Sequence, residues 1–406
     1  MDKRRIVITG IGVVAPNGIG KEEFLANCSA GVSGIKPITL FDVSKYRCKY
    51  AGEVSNFQPE QYLGPKGLRN LDRTTLLALV AAKLAIEDAR LKIADANRDD
   101  IGVVLGSTMG SVHSISEFDK EGLREGPRYV NPAQFPNTVI NSPASQVAIR
   151  FGLRGLNSTI STGFTASLDA IGYALDMLRL NRAKVLLVGG VEELCIQTFL
   201  GFYKLGFLAT SQNGAPPRSA PFDAQSRGAL LGEGCAFFVL ESDGDAQERG
   251  ATQYAEVVGY GTEFHPDSMY RYDPAAVGAS HAIRHALEDA DLEPDDIDQV
   301  SASANASKTG DAMEMAALRN VFGSRVETLL IQTVKLLLGE SFSAAGSLQL
   351  AATIGTLARQ SVPVAAGMKQ RASSVSHEAG GEFALVESLG PTGSSSAVVL
   401  RVPELH

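Results

Sequence analysis

Nowhere does the 406-residue chain approach the run of roughly 18–20 uncharged apolar residues that a membrane span needs, so no transmembrane segment is expected. Cysteine is scarce. Four residues in a chain of this length, none in a CxxC pair, are not a disulfide framework. Positive charge is also in deficit, with 37 Lys and Arg against 45 Asp and Glu, and the net charge of −8 argues against a nucleic-acid coat and for solubility. The opening MDKRRIVITG lacks a long apolar core and a small-residue cleavage site, so no signal peptide is expected and the protein reads as cytoplasmic. No linker stands out either: the Ser/Gly-rich run 389–396 is short and reads as a turn before a last strand over 397–402. What remains is an ordinary globular balance, 44% apolar and 20% charged, in a chain longer than one domain of roughly 100–200 residues.

The apolar pattern predicts an α/β fold. Residues 6–14 form a β-branched run that reads as a buried strand leading into a glycine-rich turn through Gly18. Residues 71–91 read as a helix, with Leu77, Val80 and Leu84 at helical spacing and alanines between them that allow close approach. A strand over 101–105 follows, then a helix over 166–180 and a strand over 185–189, an alternation that points to buried, largely parallel strands. An internal echo adds to this. Ile86-Glu87-Asp88-Ala89 and Leu287-Glu288-Asp289-Ala290 are each followed by Asp-Asp-Ile and an apolar strand, which predicts a duplicated βα unit with its boundary near Gly250. Residues 1–250 and 251–406 are therefore expected as two halves.

Several candidate sites reduce to plain structure. Gly10-Ile11-Gly12-Val13-Val14-Ala15 matches GxGxxA after a strand, but Pro16-Asn17-Gly18 signals a turn where a phosphate-binding helix would begin, and a packed turn is expected. His281 and His285 share a helix face without a third ligand, so no metal site is expected, and His113 and His377 stand alone. Cys28, Cys48, Cys195 and Cys235 lack any thiolate-stabilising setting and read as small buried hydrophobes. No residue set calls for a cofactor, and no dedicated basic patch is visible.

The segment Ile160-Ser161-Thr162-Gly163-Phe164-Thr165-Ala166-Ser167 is different. A strand ends in a sharp turn that opens into an alanine-lined helix, an elbow of the kind that exposes one side chain at a helix N-terminus. The side chain at this elbow is Phe164, which has no lone pair and no titratable proton.

With these residues in place the chain resembles the β-ketoacyl synthase (condensing enzyme) family over essentially its whole length. The likeness is carried by Val7-Ile8-Thr9-Gly10 with Val14-Ala15-Pro16-Asn17-Gly18, Leu71-Asp72-Arg73, the elbow, and Gly189-Gly190-Val191-Glu192. Further on it is carried by Pro221-Phe222-Asp223, Gly232-Glu233-Gly234, Gly310-Asp311 with Glu314, and Lys335 leading to Ala344-Ala345-Gly346. The resemblance implies a thiolase-like fold, with duplicated βα half-domains forming a five-layered α-β-α-β-α core. It also implies a Cys nucleophile and two His, the latter promoting decarboxylation of the extender and stabilising the oxyanion. The positions that match them are Phe164, Ser303 and Glu340, while Lys335 and Glu314 match the supporting pair. The family's Gly-Phe-Gly-Gly loop appears as Gly390-Pro391-Thr392-Gly393.

Phe cannot form a thioester, Ser303 lacks the basicity of imidazole, and an ionised Glu340 would repel an oxyanion. Because such groups act as a unit, the triple loss implies that condensation has been given up. The resemblance then points to the chain length factors (ketosynthase β subunits) of bacterial type II polyketide synthases, although many members carry Gln where this chain has Phe164. Such a subunit pairs with an active ketosynthase, meets an acyl carrier protein bearing a phosphopantetheine-tethered chain, and bounds a tunnel for the growing polyketide. Expected tunnel-lining residues are Ser111, Ser114 and Phe118, spaced to share one helical face. Phe135, Asn137 and Ile140, with Thr159 and Ser161 of the strand before the elbow, are expected at the dimer interface; for the chain alone, pairing with itself stays open. Two other readings stay open: unconventional acyl hydrolysis, cyclisation or decarboxylation using Lys335, Glu314 or Glu340, and a structural module that only holds the carrier protein.

Overall fold

A computed structural model describes residues 3–211, 217–266, 272–357 and 381–402. Ten strands build the framework: β1 (Ile6–Ala15), β2 (Ile101–Gly106), β3 (Asn157–Ile160), β4 (Val185–Glu192), β5 (Gly234–Ser242), β6 (Ala255–Phe264), β7 (Gln299–Ser301), β8 (Leu330–Gln332), β9 (Phe383–Leu389) and β10 (Ser394–Arg401). Their order in space is β8-β7-β9-β10-β6-β1-β5-β4-β2-β3. Numbered within each half, both sets of five run third, second, fourth, fifth, first, so the topology is duplicated. The halves meet where β1 pairs with β6 over Val7–Glu256 and Ile8–Ala255.

The expectation of largely parallel strands is corrected. The outer pairs β2–β3, β2–β4, β7–β8 and β7–β9 are parallel, but β4–β5, β5–β1, β1–β6, β6–β10 and β10–β9 are antiparallel. A strand buried on both faces is an apolar run whichever way it points, so direction left no mark in the sequence. The last strand also begins at Ser394 rather than at residue 397, and only residues 390–393 make the turn.

Helices supply the other three layers. The main ones are α1 (Arg73–Asp88), α2 (Val112–Glu125), α3 (Ser142–Phe151), α4 (Ala166–Arg179), α5 (Ile196–Lys204), α6 (Val277–Ala290), α7 (Lys308–Phe322) and α8 (Ser343–Leu357). Helices α1 and α3 cover one outer face, α6 and α7 the other, and α4 packs against α8 between the two halves of the sheet. Strand β5 shows the period of two that this demands: Phe237 and Val239 join the core under α1, while Phe238 and Leu240 join the central core with Leu168, Ile171 and Leu348. Full burial of each such side chain contributes about 1.5–3 kcal/mol. Helix α1 starts two residues later than expected because Asp72 caps it, accepting from Thr75 N at 2.7 Å.

The turn expected at Pro16-Asn17-Gly18 forms, with Ala15 paired to Gly18, and the glycines of the GxGxxA segment belong to the strand before it. Gly10 and Gly12 lie within β1, where a Cβ would come within 2.4 Å of Ala85 O and 2.0 Å of Ala81 O on α1. The second half repeats this solution, since a Cβ on Gly259 or Gly261 of β6 would meet Ala286 O or Ala282 O of α6 at 2.2 Å. Glycine is needed at these points so that a helix can lie directly on a strand. No described helix is long and apolar enough to cross a membrane.

Candidate functional site

The elbow forms as the sequence suggests. Strand β3 ends at Ile160, Gly163 turns the chain with φ +79°, and a single 3₁₀ turn over Gly163–Thr165 runs into α4. Three ties fix it: Thr108 Oγ1 donates to Gly163 O at 2.7 Å, Ser388 Oγ donates to Phe164 O at 2.8 Å, and Asp169 in the first turn of α4 accepts from Thr165 Oγ1 and Tyr260 OH, each at 2.8 Å. The Thr162 and Ser396 hydroxyls also donate to Asp169.

Phe164 is buried, and its ring belongs to an aromatic group. Phe342 lies edge-on at 5.0 Å between centroids, Phe202 lies 6.2 Å away, and Phe202 and Phe342 stack at 4.7 Å. Phe342 takes up this position with φ +50°, a conformation that costs a non-glycine residue about 1–3 kcal/mol and persists only where the surroundings enforce it.

Beside the rings lies a polar group that satisfies itself. Lys335 Nζ donates to Ser303 O at 2.8 Å, Glu340 Oε2 at 2.9 Å and Ser303 Oγ at 3.3 Å, which uses all three ammonium hydrogens. Glu340 also accepts from Asn305 Nδ2 at 2.7 Å and Phe342 N at 2.8 Å. Ser303 Oγ receives Leu389 N at 2.9 Å, and Ser303 N donates to Glu314. The structure thus brings together all five residues carried over from the family pattern: Phe164, Ser303, Glu340, Lys335 and Glu314.

Carboxyls crowd this region. Burial pushes Glu314 up to about 7 and Asp311 up to about 6, and burial together with Glu314 holds Glu387 well above the ordinary carboxylate range. Glu314 and Glu387 therefore share a proton as a pair. With Glu340 paired to Lys335, the cluster offers no free base of imidazole type.

The turn facing the elbow is equally closed. A Cβ on Gly390 would stand 3.7 Å from Phe164 Cβ. Pro391 has no N–H, Gly390 N bonds Ser394 O at 2.9 Å, and Gly393 N points to Gly390 O at 3.4 Å. An oxyanion at the elbow would need free backbone donors, and Thr392 N is the one in residues 389–393 that no described bond occupies.

The remaining candidates lie elsewhere. All four cysteines are free and buried, and burial pushes Cys28 and Cys48 up to about 11, so none is a thiolate. His281 and His285 neighbour each other on α6, His113 lies on α2 beside Gln197, and His265 bonds Gly393 O through its backbone. His377 lies outside the described residues. Among the described residues no three His, Cys, Asp or Glu are grouped to hold a metal ion.

Ser111 is the N-cap residue of α2; its hydroxyl is buried and neither caps the helix nor finds another partner. Ser114 and Phe118 follow on α2, both half-buried, with the Phe118 ring 6.2 Å from that of Phe135. Phe135 and Ile140 are exposed, whereas Asn137 is buried, its amide on Asn70 O at 2.6 Å. Thr159 lies in β3, which pairs on one side only, and exposed Ser161 lies just past the end of that strand.

Sequence reasoning missed Phe342, Phe202, Asn305 and Glu387, which come from segments with no chemical signal of their own. It also missed a cluster of basic residues. The Tyr46 ring on Tyr203 at 5.2 Å and Ser211 N on Arg47 O at 2.9 Å join the segments that carry exposed Lys45, Arg47 and Lys204, and a backbone bond of 3.0 Å joins Arg227 to Arg218, which is paired with Asp223. Aromatic residues of these segments pack in the same cluster as Phe164.

Residues 3–246 match the family model described as beta-ketoacyl synthase, N-terminal domain, and residues 254–369 match beta-ketoacyl synthase, C-terminal domain. The 3-oxoacyl-[acyl-carrier-protein] synthase 2 of Coxiella burnetii is 33% identical over 364 residues, 89% of this chain and 88% of that protein. The protein of the same name from Staphylococcus aureus (strain N315) is 32% identical over 346 residues, 85% of this chain and 84% of its own. Among solved structures, the ishigamide ketosynthase/chain length factor superposes with a TM-score of 0.86 at 30% identity, covering 99% of this chain and 100% of that one. A chain of a type II PKS acyl-carrier protein in complex with its ketosynthase bound to the hexaketide gives 0.87 at 26% identity, with the same coverage.

Proposed function

The chain belongs to the β-ketoacyl synthase family, and from that premise we propose that it is a non-condensing subunit, a chain length factor, that pairs with an active ketosynthase and shapes the tunnel in which a polyketide grows. The carrying observation is the filled elbow: Phe164 packs on Phe342 where a nucleophile would stand, and Lys335 is spent on Ser303 and Glu340. A ring offers no electron pair to a thioester, and a lysine with all its hydrogens engaged is no free base. In this reading α2, with Ser111, Ser114 and Phe118, forms the tunnel wall. The open edge of β3, with Thr159, and the exposed Phe135 and Ile140 are where the partner joins. The basic cluster around Arg47 and Lys204 suits an acidic acyl carrier protein.

The test is reconstitution. The chain alone, given malonyl- and acyl-loaded carrier protein, is expected to form no carbon–carbon bond, and together with its active ketosynthase to yield product whose length changes in Ser114→Phe. Turnover by the chain alone that is abolished in Lys335→Ala would establish the unconventional acyl chemistry instead.

A further inference from the structure

Glu192 ends β4 and is fully buried. Its hydrogen-bond partners are donors from two other segments: Thr108 N at 3.0 Å and Met109 N at 3.1 Å in the turn leading into α2, and Ser343 Oγ at 2.7 Å at the start of α8. The same turn touches the elbow through Thr108 Oγ1, and Ser343 follows Phe342 of the filled pocket. Glu192 therefore sits at a joint between the pocket and the N-terminal end of α2, where Ser111 lies.

A hydrogen count around this joint is informative. Ser343 Oγ lies 2.7 Å from Val191 O and 2.7 Å from Glu192 Oε2, but its hydroxyl has one hydrogen. A proton on Glu192 Oε2 resolves the count. The carboxyl O–H then donates to Ser343 Oγ, Ser343 donates to Val191 O, Oε1 accepts from Met109 N, and Oε2 keeps a lone pair for Thr108 N. The electrostatics agree. Burial pushes Glu192 up to about 7, against the pull of its hydrogen bonds. The charged group that senses it is its acidic neighbour Glu193, and the groups beyond Glu193 are mostly acidic. Glu193 is pushed up to about 8 by burial and then by Asp72, while Glu53 and Glu233 stand beside the cation Arg73, which Glu233 holds at 2.6 Å. Cys195 nearby is also raised by burial, so no neighbouring thiolate enters the balance. Glu193 itself accepts His113 N at 3.3 Å, a second carboxyl on the same turn.

Resting on the reading of α2 as the tunnel wall, we propose that Glu192 is a positioning residue: a neutral carboxylic acid that ties the filled pocket to the turn seating α2, so that loss of its proton resets this tie, shifts the seat of the wall and changes the length of chain the heterodimer makes. On deprotonation the Ser343 hydrogen turns to the charged Oε2, its bond to Val191 O is lost, and the bonds from Thr108 N and Met109 N tighten on the anion.

The experiment uses the full chain assembled with its active ketosynthase and reads the product-length distribution across neutral pH. The wild type is expected to shift its distribution around pH 7, and Glu192→Gln, which keeps a neutral group of the same shape, to hold the low-pH distribution throughout. A shift of the same size in Glu192→Gln, or no shift in the wild type while Ser114→Phe still shortens the product, overturns the proposal. If Ser111→Phe and Ser114→Phe both leave product length unchanged, the tunnel reading is what fails. Infrared difference spectra of the chain alone then decide about Glu192: a protonated-carboxyl C=O band lost in Glu192→Gln and on raising the pH supports the neutral acid, and its absence overturns it. Should Glu192→Gln not fold, Ser343→Ala replaces it, and a band that does not move in that variant counts against the joint.

Discussion

The pocket at the elbow and the flank formed by α2, α3 and the edge of β3 are finished in opposite ways. In the pocket the rings of Phe164, Phe342 and Phe202 fill the space, and Lys335 and Glu340 answer each other's charge. On the flank Leu123 is 87% exposed, Ile149 70% and Phe135 59%, and β3 leaves one edge unpaired. In the proposed reading the closed site takes no substrate and the open apolar flank receives the partner, so the difference puts the working surface on the flank.

The contrast can be broken most severely from the pocket side. Lys335→Met leaves Glu340 buried without its cation and is expected to destabilise the chain by about 3–5 kcal/mol in denaturant unfolding. Adding Glu340→Leu should recover most of that loss, because removing both charges restores balance. Phe164→Ala comes next, at about 3 kcal/mol for an emptied ring site, again read from the unfolding midpoint.

A more diffuse effect is expected from pH. Burial raises Asp311 to about 6, Glu192 and Glu314 to about 7 and Glu193 to about 8. Between the ordinary carboxylate values near 4 and these raised ones, the folded chain holds more protons than the unfolded chain. This contribution to stability is therefore fully present only below about pH 4, falls from there as pH rises toward 8, and levels off above that. Thermal unfolding that strengthened across this window would contradict the assignment.

The smallest effect on stability belongs to the flank. Leu123→Ser and Ile149→Ser should change the unfolding free energy of the isolated chain by no more than about 0.5 kcal/mol, yet weaken copurification with an active ketosynthase. Equal loss of stability and of pairing would show that the flank is ordinary surface and core.

Much of the candidate site was legible in the sequence. Phe164 stands at an elbow that strand, glycine and alanine-lined helix announce locally, and Ser303, Lys335 and Glu340 sit in recognisable motifs. Phe342 was not legible, because nothing in Gly339-Glu340-Ser341-Phe342 says that the last residue takes a positive φ and turns its ring toward Phe164. Glu387 was equally silent: a carboxyl in an apolar strand reads as an exception until Glu314, from a helix far away in sequence, is placed against it. The basic cluster failed for the same reason, since Arg47 and Lys204 become neighbours only through Tyr46 and Tyr203.

By itself the sequence determined the duplicated α/β plan, the elbow, and the absence of a nucleophile, because apolar period, glycine placement and residue chemistry are local properties. Only the tertiary structure decided strand direction, the seating of α1 directly on Gly10 and Gly12, and the pairing of Lys335 with Glu340. Those depend on which distant segments share a dry interior, where a charge must find its partner and a helix must find room.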